Sequence, residues 1–358
     1  MNVYATRDFI ASSSAAGAST YLTPPIHKTC DHSIVRFPNL LLIGMTDHPL
    51  ALSSKLKSPL LANANVDVKP KVSIGMPVYN GVQFLSETLI SMLNQSFSDF
   101  EIIISDNAST DGTEKLCREA AGCDSRVRYY RQPENLGGPD NFKFVLDNAQ
   151  GVYFMWVAVD DPRSIDFLAH NVAWLDEHPG YVASTSPNCY EGEEGLVGRY
   201  VRFSLEGNLE ERYLGFLRNS WRSHGIFYSL MRTSVISECA ILRQGFTAVD
   251  WAIDFFLVSR GPVKRTEFGL MIVGLSGLSS SAGAWNAYRS NSLEHILPLY
   301  RFSLYALGLM KPLSLKGWLN VFIALLRLNA AAFADQAYYL LYLFYCRYLK
   351  LISRSRAS

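Results

Sequence analysis

The sequence lacks several features that would assign a protein to a familiar class. Its six cysteines form no CxxC pair and no cysteine–histidine spacing typical of a zinc site, a pattern typical of reduced, mostly buried thiols in a cytosolic protein. No apolar segment follows Arg7 and Asp8, so we expect no secretory signal. No uninterrupted apolar run of 18 residues occurs either. The best candidate, Ala330–Cys346, contains Asp335 and Gln336, so a membrane-spanning helix is not expected.

Net charge is also nearly absent, but the total hides two unlike parts. The 33 basic and 32 acidic residues leave a formal charge of +1, which argues against a dedicated nucleic-acid-binding protein. Residues 315–358 carry six basic residues and one acidic residue, a net of +5, so the remainder carries −4. Hydrophobic residues make up 49% of the 358 residues, which excludes a wholly disordered chain.

The pattern of apolar residues divides the chain into three parts. Residues 1–70 contain a Ser/Ala run and a Pro-Pro pair and are predicted to be a partly disordered N-terminal extension. Residues 71–290 alternate short apolar runs with helical spacings, which predicts an α/β domain with a mostly parallel sheet and helices on both faces. Residues 291–358, rich in Leu, Tyr and Phe, are predicted to form a basic helical segment.

Individual elements of the domain are predicted from the same runs. We predict strands at Val72–Val78, Phe100–Ser105, Val127–Arg131, Val152–Val159, Val182–Asn188, Ile226–Met231 and 262–268. We predict helices at 82–95, 113–121, 139–149 and 249–259, and in the last segment at Trp318–Leu328 and Ala337–Leu351.

Polar side chains come after the first four predicted strands, at Asn80, at Asp106 and Asp111, at Asn135, and at Asp160 and Asp161. Ligands of parallel sheets bind beyond the carboxyl ends of the strands, so we expect these side chains at one rim. Adjacent carboxylates repel each other unless a cation offsets their charge, and Mg²⁺ or Mn²⁺ is bound by one or two carboxylates, water and substrate phosphate. The residues therefore predict a metal-dependent site for a phosphorylated nucleotide, without defining the reaction.

Each of these residues also has a purely structural interpretation. Asp160 and Asp161 could form a surface turn after a buried strand, while Asp106 and Asp111 could shape an Asx turn and cap a helix. Gly137 and Gly138, which would let the backbone approach a phosphate closely, could equally form a helix-entry turn.

Five motifs, taken together in order and spacing, resemble glycosyltransferase family 2, whose members have the GT-A fold. The motifs are Lys71–Gly81 (KVSIGMPVYNG), Gln95-Ser96, Phe100–Thr113 (FEIIISDNASTDGT), Arg131–Gly138 (RQPENLGG) and Met155–Asp161 (MWVAVDD). The resemblance is dense over residues 71–190, the expected nucleotide-sugar half, and thinner over 191–290, the expected acceptor half. It does not extend to residues 1–70.

The resemblance implies roles for individual residues of the donor half. A nucleotide-sugar pocket would be lined by Pro77, Tyr79, Asn80, Asp106, Asp111, Asn135, Gly137 and Asp160. Asp106 would contact the base, and Asp160 with Asp161 would hold Mg²⁺ or Mn²⁺ and through it the diphosphate. Many members carry Asp-X-Asp-Asp at this point, whereas Ala158 stands at the first position here.

For the acceptor half, the resemblance implies a carboxylate base near the start of a helix. Asp250 matches that position best, and Asp254, one turn later, is the alternative. As a structural alternative, Asp250 could be a plain helix N-cap. His224-Gly225 resembles the family's acceptor-side loop, and Tyr288-Arg289 receives no catalytic role because Asn291 stands where relatives often have His.

The expected function is therefore that of an inverting glycosyltransferase of the EC 2.4 class. It would move a sugar from a nucleotide diphosphate sugar to a carbohydrate or lipid-linked acceptor in bacterial surface polysaccharide biosynthesis. The alternatives are a non-catalytic membrane-associated nucleotide-sugar or glycan binding protein and a nucleotidyltransferase. The basic, aromatic C-terminal segment favours a cytoplasmic protein peripheral to the inner face of the plasma membrane, on anionic lipid. The alternative is that these helices pack on the catalytic domain or on a partner chain.

Overall fold

The computed structural model describes residues 69–275 and 292–355. The strands are β1 (Val72–Val78), β2 (Phe100–Asp106), β3 (Val127–Arg131), β4 (Tyr153–Trp156), β5 (Ala183–Thr185), β6 (Asn188–Tyr190), β7 (Leu230–Arg232), β8 (Val263–Arg265) and β9 (Met271–Val273). Seven of them form the central sheet in the order β3-β2-β1-β4-β7-β5-β8, and β6 pairs separately with β9.

Eight helices of ten residues or more accompany the strands in the described part of the chain. They are α1 (Val82–Leu93), α2 (Thr113–Cys123), α3 (Gly138–Asp147), α4 (Phe167–Glu177), α5 (Leu209–Asn219), α6 (Val249–Arg260), α7 (Tyr300–Leu309) and α8 (Leu315–Ser355). One-turn helices cover His224–Phe227 and Thr233–Ile236, and 3₁₀ turns cover Val197–Arg199, Ser220–Arg222, Ala240–Arg243 and Ser292–His295.

The register of the sheet brings the ends of its first strands together. β1 is parallel to β2 from Val72 opposite Phe100 to Val78 opposite Asp106, and it is parallel to β4 on its other side. β2 is parallel to β3, with Asp106 opposite Arg131. β7 runs antiparallel to both β4 and β5. The loops after β1, β2, β3 and β4 therefore leave the sheet at one edge, where ligands of such sheets bind.

The core lies around β1, β2 and β4, whose side chains are almost all buried. Gly75 in β1 shows how tightly α3 packs on this sheet, because a Cβ added there would lie 2.6 Å from Val145 and 2.8 Å from Phe154. Trp156 of β4 stacks on Phe227 with ring centroids 4.9 Å apart. This contact joins the first half of the domain to the one-turn helix that begins at His224.

The expected α/β fold with a mostly parallel sheet is confirmed, and most helix bounds agree within two residues. The strand expected at Val152–Val159 is shorter, and the one expected at Val182–Asn188 is two strands, β5 and β6. The strand predicted at Ile226–Met231 is wrong in its first half. There the backbone N–H of Ile226 donates to the Ser223 carbonyl in a helical turn, and the strand begins only at Leu230.

The C-terminal region also differs from expectation. The two helices predicted there are one 41-residue helix, α8, because residues 329–336 contain no glycine or proline to interrupt it. The helix packs against α5, where the Asn320 side-chain amide donates to Glu210 Oε1 at 2.8 Å. The prediction for residues 1–70 falls almost entirely outside the described residues.

One stretch of the described chain, Leu315–Tyr338 of α8, is long and apolar enough to cross a membrane by length and composition. This differs from the expectation that no such helix is present and from its best candidate, Ala330–Cys346. A third of the most apolar window is buried against the protein, less than in a core helix, which is mostly buried.

Candidate functional site

The loops after β1 and β2 are tied to each other by side chains. The Asn80 backbone N–H donates to Ser109 Oγ at 2.9 Å, and Asn80 Oδ1 accepts from the Thr110 backbone N–H at 2.8 Å. Asp111 accepts from the backbone N–H groups of Val82 at 3.2 Å and Thr113 at 2.9 Å, where α1 and α2 begin. The two loops therefore form one rigid surface, from which the half-exposed ring of Tyr79 projects and which the partly buried Pro77 precedes.

Asp106 lies beneath this surface and is fully buried. Its Oδ1 accepts from the Ser109 backbone N–H, and its Oδ2 accepts from the Tyr129 hydroxyl and the Arg131 guanidinium, all at 2.8 Å. Burial alone would raise its pKa, but the hydrogen bonds of Ser109 and Tyr129 and the charge of Arg131 lower it below the usual value. Asp106 is therefore a fixed, ionised anchor of the loop after β2.

The loop before α3 is hydrogen-bonded to the loop after β2. Asn135 Oδ1 accepts from the Asn107 side-chain amide at 2.8 Å and from the Gly137 backbone N–H at 2.9 Å. Gly137 has φ +84°, and nothing lies within 4 Å of a Cβ added to it, so the position needs glycine for its backbone conformation and not for space. Three loops thus meet at one edge of the sheet.

The acidic pair lies on the loop after β4 and is fastened to β9. Asp161 is 1% exposed, and its Oδ1 accepts from the Gly274 backbone N–H at 2.8 Å. Its Oδ2 has no hydrogen-bond partner, and His224 Nε2 lies 3.6 Å away. A Cβ on Gly274 would lie 2.5 Å from the Asp160 carboxylate, so only glycine fits beside the pair.

Arg163, two residues further on, was not singled out from the sequence. It is 4% exposed, its Nη1 donates to the Asp161 carbonyl, and its Nε and Nη2 have no hydrogen-bond partner. Burial lowers the pKa of its guanidinium, and the charges of Asp161 and Asp160 and a nearby tyrosine raise it again in part. An arginine immediately after an Asp-Asp-Pro sequence was the available signal.

Asp250 comes from the other half of the domain, in the first turn of α6. Asp250 is partly exposed, but burial of its carboxyl group raises its pKa. A hydrogen bond from the Trp251 backbone and the charge of His224 lower this pKa by a smaller amount, so the net shift is upward. Tyr228 is buried, and its pKa is raised well above the usual value by burial and by the charges of Asp161, Asp160 and Asp250. His224 lies 3.6 Å from Asp161 Oδ2, and its ring centroid is 4.9 Å from that of Tyr228, so the structure brings the acidic pair and the acceptor half together here.

Asp254 lies one turn after Asp250 and is 1% exposed, with no hydrogen-bond partner on either carboxylate oxygen. Burial and the charge of Asp250 raise its pKa well above the usual value, and Ser223 and Arg265 do not offset that rise. Arg265 is itself buried, which lowers its pKa to about 9. Arg265 packs under Gly225, where a Cβ would lie 3.0 Å from its Nη1.

The donor set of the acidic pair fits a divalent cation only if other ligands complete it. Among residues 69–275 and 292–355, no three His, Cys, Asp or Glu side chains are grouped closely enough to hold a metal. Asp161 nevertheless presents a buried oxygen without a hydrogen-bond partner, beside the carboxylate of Asp160. Mg²⁺ and Mn²⁺ are commonly held by one or two carboxylates plus phosphate and water, so the pair fits such an ion together with a phosphorylated ligand.

Comparison with known proteins gives a consistent result for the sequence. Residues 73–239 match the profile described as glycosyl transferase family 2. The chain is 36% identical over 139 residues to an uncharacterized glycosyltransferase of Haemophilus influenzae. The aligned region is 39% of this chain and 50% of that protein. The chain is 29% identical over 171 residues to the GalNAc(5)-diNAcBac-PP-undecaprenol beta-1,3-glucosyltransferase of Campylobacter jejuni, which covers 47% and 54%. The chain thus spans about half the length of these relatives.

Among solved structures, TarS 1–349 of S. aureus in complex with UDP-GlcNAc is similar, with a TM-score of 0.58 and 73% of each chain covered. The sequence identity is 18%, so this likeness concerns the fold. It agrees with the mixed, mostly parallel sheet of this chain.

Proposed function

We propose, because residues 73–239 match the profile of glycosyl transferase family 2, that the protein transfers a sugar from a nucleotide diphosphate sugar to a carbohydrate or lipid-linked acceptor. The observation that carries this proposal is that His224, from the acceptor half, lies 3.6 Å from Asp161 Oδ2 of the donor half. A contact between the two halves at the acidic pair is what a reaction between two substrates requires.

The donor nucleotide is proposed to lie on the surface formed by the loops after β1, β2 and β3. Tyr79, Asn80 and Gly137 would contact it directly, and Pro77, Asp111 and Asn135 would hold the shape of these loops. Both oxygens of Asp106 are engaged within the protein, so a contact between Asp106 and the base requires exchange of one of these hydrogen bonds.

Asp160 and Asp161 are proposed to hold Mg²⁺ or Mn²⁺ beside the donor diphosphate. A bound divalent ion stabilises the negative charge that develops on a departing diphosphate. On the protein side, the Gly274 N–H orients the Asp161 carboxylate, and the absence of a side chain at Gly274 leaves room for that of Asp160.

Asp250 is proposed as the base of a single displacement with inversion. Its carboxylate takes the proton of the acceptor hydroxyl as the acceptor oxygen forms a bond to the anomeric carbon. The bond from that carbon to the β-phosphate oxygen breaks, and its electron pair leaves with the nucleoside diphosphate. Burial raises the pKa of Asp250, which strengthens it as a base relative to an exposed carboxylate.

The setting is proposed from the relatives. The Campylobacter jejuni relative is named as acting on an undecaprenol-linked glycan, and a lipid-linked acceptor of that kind agrees with a basic, apolar C-terminal helix. We place the protein on the cytoplasmic face of a bacterial membrane, where it would take part in the assembly of a surface polysaccharide.

The proposed base is tested by Asp250→Asn, with Asp254→Asn as the matched control on the same helix. We expect Asp250→Asn to lower the rate of sugar transfer by about 10²–10⁴-fold and to leave nucleotide binding nearly unchanged. Asp254→Asn should retain most of the activity, because a protonated carboxyl and an amide have similar shape and charge. Radiolabelled transfer and calorimetric nucleotide binding provide the two readouts. Loss of activity in the control alone would assign the base to Asp254, and loss of nucleotide binding in Asp250→Asn would contradict the assignment.

A further inference from the structure

We propose that Arg163 is a fixed internal counter-charge to Asp160 and Asp161, so that the acidic pair binds a divalent cation weakly on its own and well only together with the nucleotide diphosphate. This inference rests on the proposed function for the identity of the cation and of the diphosphate. It assigns to Arg163 a positioning role in which the guanidinium acts through the acidic pair and touches no substrate.

The backbone geometry joins Arg163 to the pair. The segment from Asp161 to Arg163 pairs with β9: the Gly274 N–H donates to Asp161 Oδ1, the Ile272 N–H donates to the Pro162 carbonyl, and Arg163 bridges Met271. Arg163 Nη1 then closes a turn by donating to the Asp161 carbonyl. The guanidinium is therefore fixed relative to the carboxylates and cannot swing into solvent.

The guanidinium is shielded from solvent, so its charge acts strongly on neighbouring groups. The residue is 4% exposed and its guanidinium lies over the Phe167 ring, 5.4 Å from the centroid. Nε and Nη2 have no hydrogen-bond partner, so their positive charge is not neutralised by a direct contact. Such a buried charge is costly unless it is compensated, and Asp160 and Asp161 are the carboxylates that act on it.

The summed charge of the group sets how well the cation binds. Asp160, Asp161 and Arg163 together carry −1, and a divalent ion added alone would bring the group to +1 in a mostly buried site. The diphosphate of a nucleotide sugar, with about −2, returns the group to −1, and a free nucleoside diphosphate, whose terminal phosphate adds up to about one more negative charge, lowers it further. Without Arg163 the ion alone would bring the group to neutrality. Arg163 therefore disfavours the ion alone, and the diphosphate removes that penalty.

The absence of a carboxylate at position 158 also weakens binding of the cation alone. Ala158 stands where many family members carry an aspartate, and no third carboxylate, His or Cys side chain completes the group in the part of the chain that is described. An ion bound to the pair must therefore take most of its ligands from water or from phosphate. His224, at 3.6 Å from Asp161 Oδ2, and Asp250 belong to the same surroundings and stay the same in every variant of Arg163.

The test is Mn²⁺ binding by electron paramagnetic resonance, alone and with UDP, GDP or dTDP, for the wild-type chain and for variants at Arg163. In the wild type, the nucleotide that binds should tighten Mn²⁺ about tenfold or more. Arg163→Met should bind Mn²⁺ alone about tenfold more tightly than the wild type, because an uncompensated charge nearby is removed. The factor by which the nucleotide tightens Mn²⁺ should shrink correspondingly. Arg163→Lys, which keeps the charge, should behave as the wild type does.

The controls separate this inference from the proposed function. Arg118→Met, which removes an exposed charge on α2, should leave Mn²⁺ binding unchanged, and Arg163→Gln is a second neutral variant if Arg163→Met does not fold. Unchanged or weaker binding of Mn²⁺ alone by a folded neutral variant would overturn the role of Arg163, while coupled binding of Mn²⁺ and nucleotide by the wild type would leave the proposed function standing. Absence of any nucleotide binding by the wild type would overturn both.

Discussion

At the scale of single residues, the acceptor half contains a buried carboxyl group, that of Asp254, whose charged form is destabilised by its surroundings. Asp254 is 1% exposed, its oxygens have no hydrogen-bond partner, and the charged neighbours that act on it are Asp250 on its own helix and Arg265 on β8. Burial comes first among the causes that raise its pKa well above 3.8, and Asp250 comes second. We therefore expect the folded protein to keep Asp254 protonated to a higher pH than an exposed aspartate.

The pH dependence of stability tests this assignment. The folded chain keeps a proton on Asp254 that the unfolded chain releases above pH 3.8, so the contribution of the neutral acid is complete below that pH and is lost as pH rises toward the folded pKa. Asn is neutral at every pH. We therefore expect Asp254→Asn to gain stability relative to the wild type as pH rises, by about 1.4 kcal/mol per pH unit over that window.

Urea unfolding at pH 5, 6, 7 and 8 measures the difference. Asp99→Asn, at an exposed position, is the matched control and should show no such trend. A stability difference between Asp254→Asn and the wild type that stays constant or falls with rising pH would contradict a neutral Asp254.

Sequence reasoning reached some of these residues and not others for a physical reason. Asp160 and Asp161 follow a buried strand after three intervening residues, and Asp250 lies in the first turn of an apolar helix, so local pattern and family resemblance together singled them out. Tyr228 and Arg163 owe their importance to what tertiary packing brings near them. The only local signal was the place of Arg163 directly after the Asp-Asp-Pro sequence. Asp106 was predicted to be a site residue, but its three internal hydrogen bonds could not be read from the motif.

At the scale of elements, α8 presents two apolar faces of different kinds. Val321, Leu325, Leu328 and Ala332 are buried against the protein. Leu319, Ile323, Leu326 and Phe333 lie on the opposite side of the helix and are between 37% and 53% exposed. Basic residues are frequent toward the C-terminal end of the chain, at Arg347, Lys350, Arg354 and Arg356. An exposed apolar stripe followed by cations is typical of a helix that lies on an anionic bilayer.

Vesicle pelleting tests the role of α8. The wild-type chain should pellet with vesicles containing phosphatidylglycerol at low salt and much less with neutral vesicles, since each basic residue near such a surface contributes about 1 kcal/mol. Replacing Leu319, Ile323 and Leu326 by Ser together should weaken this binding while the buried face stays intact. Leu196→Ser, at another exposed apolar position, is the control. Failure of the wild type to pellet at low salt would contradict membrane association.

The helices and strands also show which parts of the secondary structure can be predicted from local sequence pattern. β1, β2, β3 and α1 to α3 were predicted closely because each has a continuous apolar run or a helical spacing with a turn signal beside it. The region after residue 182 was predicted less well because its strands have three residues each, too few to show a period. The helical turn at His224–Phe227 depends on Gly225 packing against Asn188 and Arg265, a long-range contact that local pattern does not contain.

At the scale of the whole molecule, the uneven charge distribution agrees with two proposals, membrane binding by the C-terminal segment and cation-dependent donor binding at the acidic pair. The near-neutral total of +1 combines a segment of +5 at residues 315–358 with a remainder of −4 that contains the acidic pair. A basic helix on an anionic membrane would keep the active edge of the sheet close to lipid-linked acceptors. We propose that the acidic edge binds a cation together with the anionic donor.

The most direct test of the central claim is the thermal stability of the protein with UDP-, GDP- and dTDP-sugars, each with and without Mn²⁺. We predict that one nucleotide class raises the melting temperature by about 5 °C or more at saturating concentration, and that Mn²⁺ increases this rise. Asp161→Asn should lose the increase due to Mn²⁺. If no nucleotide sugar stabilises the protein, or if Asp161→Asn responds to Mn²⁺ as the wild type does, the proposed donor site is wrong.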